Sequence, residues 1–196
     1  MNGVNGKLIA ANVVVFGLQQ LYGPQLVPFE LWPLSLHSHA AQGPQFEPWQ
    51  LVSYAFMHGG VAHLGLNMFA LWMFGRDCES ALGARRYAML YLAAVLSAAG
   101  MQLAFSTIAH SRYPTVGASG GIFGVLLTFA VLYPNRRIML LFPPIPMPAW
   151  LFVTLYGFIE LANGVLGTDA GVAHFAHLGG MLGAALLLNH WRHAAR

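Results

Sequence analysis

Charge is what this sequence has least of. Aspartate, glutamate, lysine and arginine together make up 8% of the 196 residues, against roughly a quarter in an ordinary soluble domain. So little charge excludes water as the main solvent. Nine basic and six acidic residues, scattered along the chain, also argue against a nucleic-acid partner, because no basic face is built. Cysteine is nearly missing too. Cys78 is the one thiol, so no internal disulfide can form, the thiol count points to no oxidising compartment, and packing is its expected role. No internal repeat, low-complexity tract or H-E-x-x-H string is present. Hydrophobic residues, at 57%, are abundant, and they fall in runs.

Apolar stretches of spanning length recur at about 8–23, 61–76, 86–106, 117–133, 148–165 and 173–191, with most prolines and charges between them. The expected fold is an all-α membrane protein, one domain over residues 1–196 with six transmembrane helices. Its first segment follows Lys7 as a secretory signal would. Gln19, Gln20 and Tyr22 then stand where small residues would mark a cleavage site, so a first membrane helix is the better reading. The longest connector, Gly23 to Gln50, has no Lys or Arg. It reads as a structured interfacial loop, with Trp32 and Trp49 at the depth where aromatic rings collect. Phe142 to Pro148 holds four prolines and is expected to be non-helical. With both termini cytoplasmic, Lys7, Arg76, Arg85, Arg86, Arg136, Arg137, Arg192 and Arg196 fall inside and only Arg112 outside. That asymmetry supports six crossings and their direction.

Three polar clusters then lie at the outward ends of apolar helices: His58, His63 and Asn67; Ser119; His174 and His177. Polar groups at membrane depth are costly and mark functional cavities. Ser119, within Gly117-Ala118-Ser119-Gly120-Gly121, falls at a helix N-terminus, where free N–H groups and the helix dipole favour an oxyanion. Taken alone it reads better as a helix cap, with the glycines as a packing face. A base converts it to a nucleophile, and histidine suits that task. Gly179, Gly180 and Gly183 would let the His177 helix press closely on the glycine-faced helix of Ser119. His174, a turn nearer the surface, reads as solvated. His63 and Asn67, four apart on one helical face, suit an oxyanion hole. His58, five before His63, shares no face with it if the segment is all helical. Nine histidines leave metal binding a minor alternative, but no acidic residue stands beside them in sequence.

Taken in order, His58-x4-His63-x3-Asn67, Gly117-x-Ser119-Gly120 and Ala176-His177-Leu178-Gly179-Gly180 resemble the rhomboid family of intramembrane serine proteases. The resemblance implies a six-transmembrane-helix rhomboid-like bundle with a long interfacial loop between its first two helices. It implies Ser119 as nucleophile and His177 as base in a dyad with no third acid. His63, Asn67 and the Ser119 N–H would stabilise the oxyanion, with His58, Gly117, Gly120 and Phe123 supporting the site. No cofactor or metal is implied. The partners would be transmembrane protein substrates and the lipid bilayer, the setting a bacterial inner membrane with the active site opening outward. Two departures stand out: Trp49-Gln50 where many members have Trp-Arg, putting that loop's bracing in doubt, and Phe123 where some have tyrosine. Glu79 matches a family glutamate that braces cytoplasmic helix ends, though it reads equally as a solvated charge beside Arg76. Glu160 has no assigned role. An inactive relative that binds membrane segments and a small transporter with a histidine proton relay are the competing readings. The substrate and the oligomeric state are not legible.

Overall fold

The computed structural model describes residues 3–34, 44–111, 113–139, 144–167 and 173–194. Six long helical segments account for most of it. Helix α1 spans Val4–Tyr22 and runs into a 3-10 stretch, Gly23–Phe29. A short α2, Gln50–Ser53, leads through a 3-10 turn, Tyr54–Phe56, to α3, Val61–Ala70. A π-helical turn, Leu71–Gly75, joins α3 to α4, Arg76–Leu82. Then come α5, Ala84–Ile108, and α6, Ser119–Leu132. After a hairpin pairing β1, Arg137–Met139, with β2, Pro146–Pro148, come α7, Ala149–Leu166, and α8, His174–Ala194.

All six apolar stretches are therefore helical, the first starting four residues earlier than expected. The proline-rich stretch after α6 forms the hairpin's second strand at its described end, while residues 140–143 lie outside the described residues. So do Arg112, Arg196 and residues 35–43 of the first loop. By length and composition α5 and α7 could each cross a membrane; α6 is apolar but has 14 residues.

Helix α6 forms the centre. Ten of its residues are buried, among them Gly120 through Leu126, so an apolar stripe on one face would not suffice. Its neighbours approach through small residues. A Cβ on Gly124 would collide with the Ala94 side chain of α5, and one on Gly180 with the Gly120 carbonyl. Without a strong hydrophobic force between helices in lipid, such contacts are the main source of packing. The glycines of α8 divide their work. Gly180 faces α6 as expected, but Gly179 abuts the Ser97 carbonyl and Ala98 of α5, and Gly183 abuts Ser97 and Ala93. Successive helical residues diverge by about 100°, so adjacent glycines serve two neighbours.

Charge gathers at the end of the bundle away from the N-terminus of α6. Glu79 accepts the backbone N–H of Val4 at 2.6 Å and of Asn5 at 3.0 Å, satisfying donors that α1 leaves open. It is thus a brace, not a solvated charge. Arg136 pairs with Asp77 at 2.5 Å, and the Arg86 guanidinium lies 5.6 Å from the centroid of the Trp191 ring. A π-helical turn displaces backbone carbonyls; here the Leu71 carbonyl accepts from Asn5 Nδ2 at 2.9 Å, while Asn5 Oδ1 accepts from Tyr87 Oη at 2.7 Å. One buried asparagine thereby ties α1, the π-helical turn and α5.

Gly180→Ala should lower stability by about 1–3 kcal/mol through overpacking, whereas Gly100→Ala, whose Cβ meets nothing within 4 Å, should not. Thermal unfolding of the two variants in detergent checks the difference.

Candidate active site

Ser119 begins α6, with Ala118 at the cap position and no side-chain capping bond there. The capping reading therefore falls. Its Oγ instead lies 2.8 Å from His177 Nε2. The Gly120–Gly180 contact sits one residue after Ser119 and three after His177, and so sets the distance between them. Phe123 stacks on the His177 ring at 4.2 Å between centroids and 8° between planes. A phenyl ring thus orients the imidazole by its face, without a hydroxyl.

The other ring nitrogen has a partner that the expected dyad did not include. His177 Nδ1 lies 2.8 Å from Glu160 Oε2, and His174 Nδ1 lies 2.6 Å from the same oxygen. A third acid is present. Glu160 is 4% exposed, His174 6% and His177 8%, so the solvated reading of His174 fails as well. Geometry along α7 explains this. Its buried residues are Ala149, Val153 and Glu160, spaced by four and seven, which defines one helical stripe. The carboxylate enters the bundle on the only face that α7 turns inward among the described residues.

A carboxylate only accepts, so both Nδ1 atoms carry their protons toward it. His177 Nε2 is then left to accept from the Ser119 hydroxyl. The same logic settles His63. The Gly59 N–H donates to its Nδ1 at 3.4 Å, leaving the proton on Nε2. That edge faces Gly117, where a Cβ would come within 2.8 Å of His63 Nε2 and 3.7 Å of Asn67 Nδ2. Gly117 has φ +127°, a region that favours glycine. Asn67 Nδ2 is buried with no partner among the described residues. Two donors thus converge beside the loop that delivers Ser119. His58 joins them because its segment is not helical: its ring meets His63 edge-on at 5.0 Å. Gln19 of α1 fixes it, accepting the His58 N–H at 2.9 Å.

The first loop is tied to the same place. Leu31 and Thr115 exchange backbone hydrogen bonds at 3.0 and 2.9 Å, and the Gly117 N–H donates to the Tyr54 carbonyl at 3.0 Å. Gln50, fully buried, accepts from the Trp32 N–H at 3.0 Å and donates to the Pro28 and Gln45 carbonyls at 2.9 and 3.0 Å. Bracing by an arginine is replaced by an amide that satisfies three backbone groups.

Glu160, His174 and His177 also form the group of donors able to approach one cation among the described residues, their ligand atoms lying within 4.8 Å of one another. As the side chains stand, those atoms are engaged in the two Nδ1–H bonds to the carboxylate.

The helical bundle thus sets a serine at the N-terminus of α6 against a histidine of α8, with amide and imidazole donors nearby. The chain belongs to the rhomboid family, whose Rhomboid domain matches residues 45–191. It is 33% identical over 184 residues to "Rhomboid protein 1, mitochondrial" of Saccharomyces cerevisiae, covering 89% of this chain and 49% of that protein. It is 36% identical over 150 residues to "Rhomboid protease GluP" of Bacillus subtilis, covering 69% of this chain and 27% of that one. With the human "Presenilin-associated rhomboid-like protein, mitochondrial" the identity is 28% over 177 residues, covering 89% and 45%. The chain thus spans half or less of the length of these relatives.

Gln50→Ala would leave the Trp32 N–H and two carbonyls without their partner, at about 1–3 kcal/mol for each group that stays buried. A clearly lowered melting temperature is expected, measured in detergent against Gln45→Ala, whose side chain takes no part in these bonds.

Proposed function

We propose that this chain is an intramembrane serine endopeptidase that cuts peptide bonds in or beside transmembrane segments of membrane-protein substrates. The observation that carries the reading is the 2.8 Å contact of Ser119 Oγ with His177 Nε2 at the N-terminus of α6. Membership of the rhomboid family, which includes a named protease, supports it.

In this reading His177 Nε2 takes the Ser119 proton as Oγ attacks the scissile carbonyl carbon. The resulting oxyanion is met by His63 Nε2–H, Asn67 Nδ2–H and the Ser119 N–H, donors already in place before substrate arrives. Asn67 supplies the most direct support, being a buried donor with no acceptor among the described residues. His177 then returns the proton to the leaving amine, and water admitted to the same base releases the acyl group from Ser119. Gly117 keeps the space over the two donors clear, and Gly120 lets α8 come close enough for the transfer.

Six crossings follow from this reading, with the arginine-bearing helix ends in the cytoplasm and the Ser119 end facing out. A bacterial inner membrane fits that arrangement. Consistent with it, Lys7, Arg76, Arg85, Arg86, Arg136, Arg137 and Arg192 all lie on elements or ends remote from Ser119. An aqueous depression at the outer face would let water reach a site otherwise enclosed by apolar helices.

The test uses the full chain in liposomes with a fluorescent single-span substrate. Ser119→Ala and His177→Ala should each fall to background, and a fluorophosphonate should label the parent protein but not Ser119→Ala. Cleavage by Ser119→Ala would refute the assignment, and no cleavage by any form would favour a binding role. Asn67→Ala should lower kcat by about 10²–10³-fold, the usual cost of one oxyanion donor, with KM little changed.

A further inference from the structure

The carboxylate on α7 is unexplained by a two-residue mechanism. Burying an isolated carboxylate among apolar helices is costly, and such groups persist where they are paired and functional. Glu160 satisfies that condition in one way only among the bonds described: both partners of Oε2 are imidazoles, and one of them is the base. Along the rest of α7 the inward residues are Ala149 and Val153, which pack without any need of charge.

Resting on the protease reading above, we propose that Glu160 is a positioning residue that completes a Ser119–His177–Glu160 triad, and that His174 holds the carboxylate through a second bond to the same oxygen. The four side chains form one line of hydrogen bonds, with separations of 2.8, 2.8 and 2.6 Å from Ser119 Oγ to His174 Nδ1. Glu160 Oε2 fixes the His177 tautomer by accepting Nδ1–H, so that only Nε2 can take the serine proton. When Nε2 gains that proton, Nδ1 keeps its own and the ring becomes positive. The fixed carboxylate then faces that charge at hydrogen-bond distance, and itself stays ionised throughout, as the acid of a serine triad does. No bond to Glu160 forms or breaks.

His174 explains why the carboxylate does not swing away. One turn before His177 on α8, it donates to the same oxygen, and its ring is set edge-on to that of His177 at 88°. Its own Nε2 is buried without a partner among the described residues, so the line ends there and α8 supplies both clamps. Two imidazoles on one oxygen leave that oxygen with a defined direction, which a lone Glu–His contact would not.

The test is Glu160→Gln, which keeps shape and an acceptor but removes the charge, in the full chain reconstituted in liposomes. The expected result is a kcat lowered at least 100-fold with KM within threefold of the parent value. Fluorophosphonate labelling should slow in proportion yet reach the same final stoichiometry, because the folded site is intact. His174→Gln should show the same pattern with a smaller loss, near tenfold. A kcat for Glu160→Gln within threefold of the parent would overturn the proposal. So would a collapse in final labelling that parallels the loss of kcat, since that marks a structural role. Should Glu160→Gln fail to fold, the parent protein with labelled histidine decides: a strongly deshielded Nδ1 proton on His177 supports the triad, and its absence overturns it. Full activity of Glu160→Gln beside a dead Ser119→Ala removes only the triad, whereas cleavage by Ser119→Ala removes the protease reading itself.

Discussion

The contact between Gly120 and Gly180 governs the rest of the molecule. Two helix backbones meet there with no space for a Cβ on Gly180, and the Ser119–His177 hydrogen bond lies beside the meeting point. A hydrogen bond of 2.8 Å between side chains of different helices requires the helix axes to be fixed to a fraction of an ångström. Apolar side chains, with several rotamers each, hold axes less closely than backbone against backbone. The small residues of α5, Ala94 and Ala98, extend the same tight seam to a third helix.

Given that seam, polar groups sort by end. At one end Glu79, Asn5 and Tyr87 close a hydrogen-bonded clasp over α1, α4 and α5, with the arginines outside it. At the other end the polar groups point inward, and several have no hydrogen-bond partner among the described residues: Asn67 Nδ2, His58 Nε2 and His174 Nε2. Buried polar atoms are nearly always satisfied in folded proteins. Of these three, Asn67 Nδ2 is a donor beside the loop that delivers Ser119, whereas the two imidazole Nε2 atoms are acceptors, their Nδ1 protons being turned to Phe56 and Glu160. The first loop reinforces that end, because Gln50 and the Leu31–Thr115 pairing connect it to the segment leading into Ser119.

Much of this was legible in the sequence, for reasons particular to its residues. Runs of apolar residues interrupted by Pro, Gly and Arg located every long helix, since each run is helical over most of its length. Ser119 and His177 were readable because glycines flank both, and glycine in an apolar helix has few uses besides close approach. What sequence could not reveal is contact between remote positions. Glu160 lies 17 residues before His177 and has only apolar neighbours in the chain, so no local pattern joins them. The signal available was the stripe Ala149, Val153, Glu160, which becomes visible only once the inward face of α7 is known. Gln50 was read through the arginine it replaces, although an amide can both donate and accept and so suits a loop of open backbone groups. Gly179 and Gly183 were assigned to α6, whereas both meet α5.

Helix α7 is the least enclosed of the long helices around the site. Phe158, Ile159, Val165 and Leu166 are all more than half exposed, and beyond Ala149 and Val153 the buried residue it contributes is Glu160. The carboxylate that both imidazoles share is thereby mounted on the element least held by its neighbours, while Ser119 and His177 sit on helices joined by the glycine seam. Any outward tilt of α7 would draw the carboxylate off both imidazoles while leaving Ser119 and His177 where they are. The hydrogen bonds from His174 and His177 to Glu160 are therefore also a polar tie that holds the far part of α7 against α8.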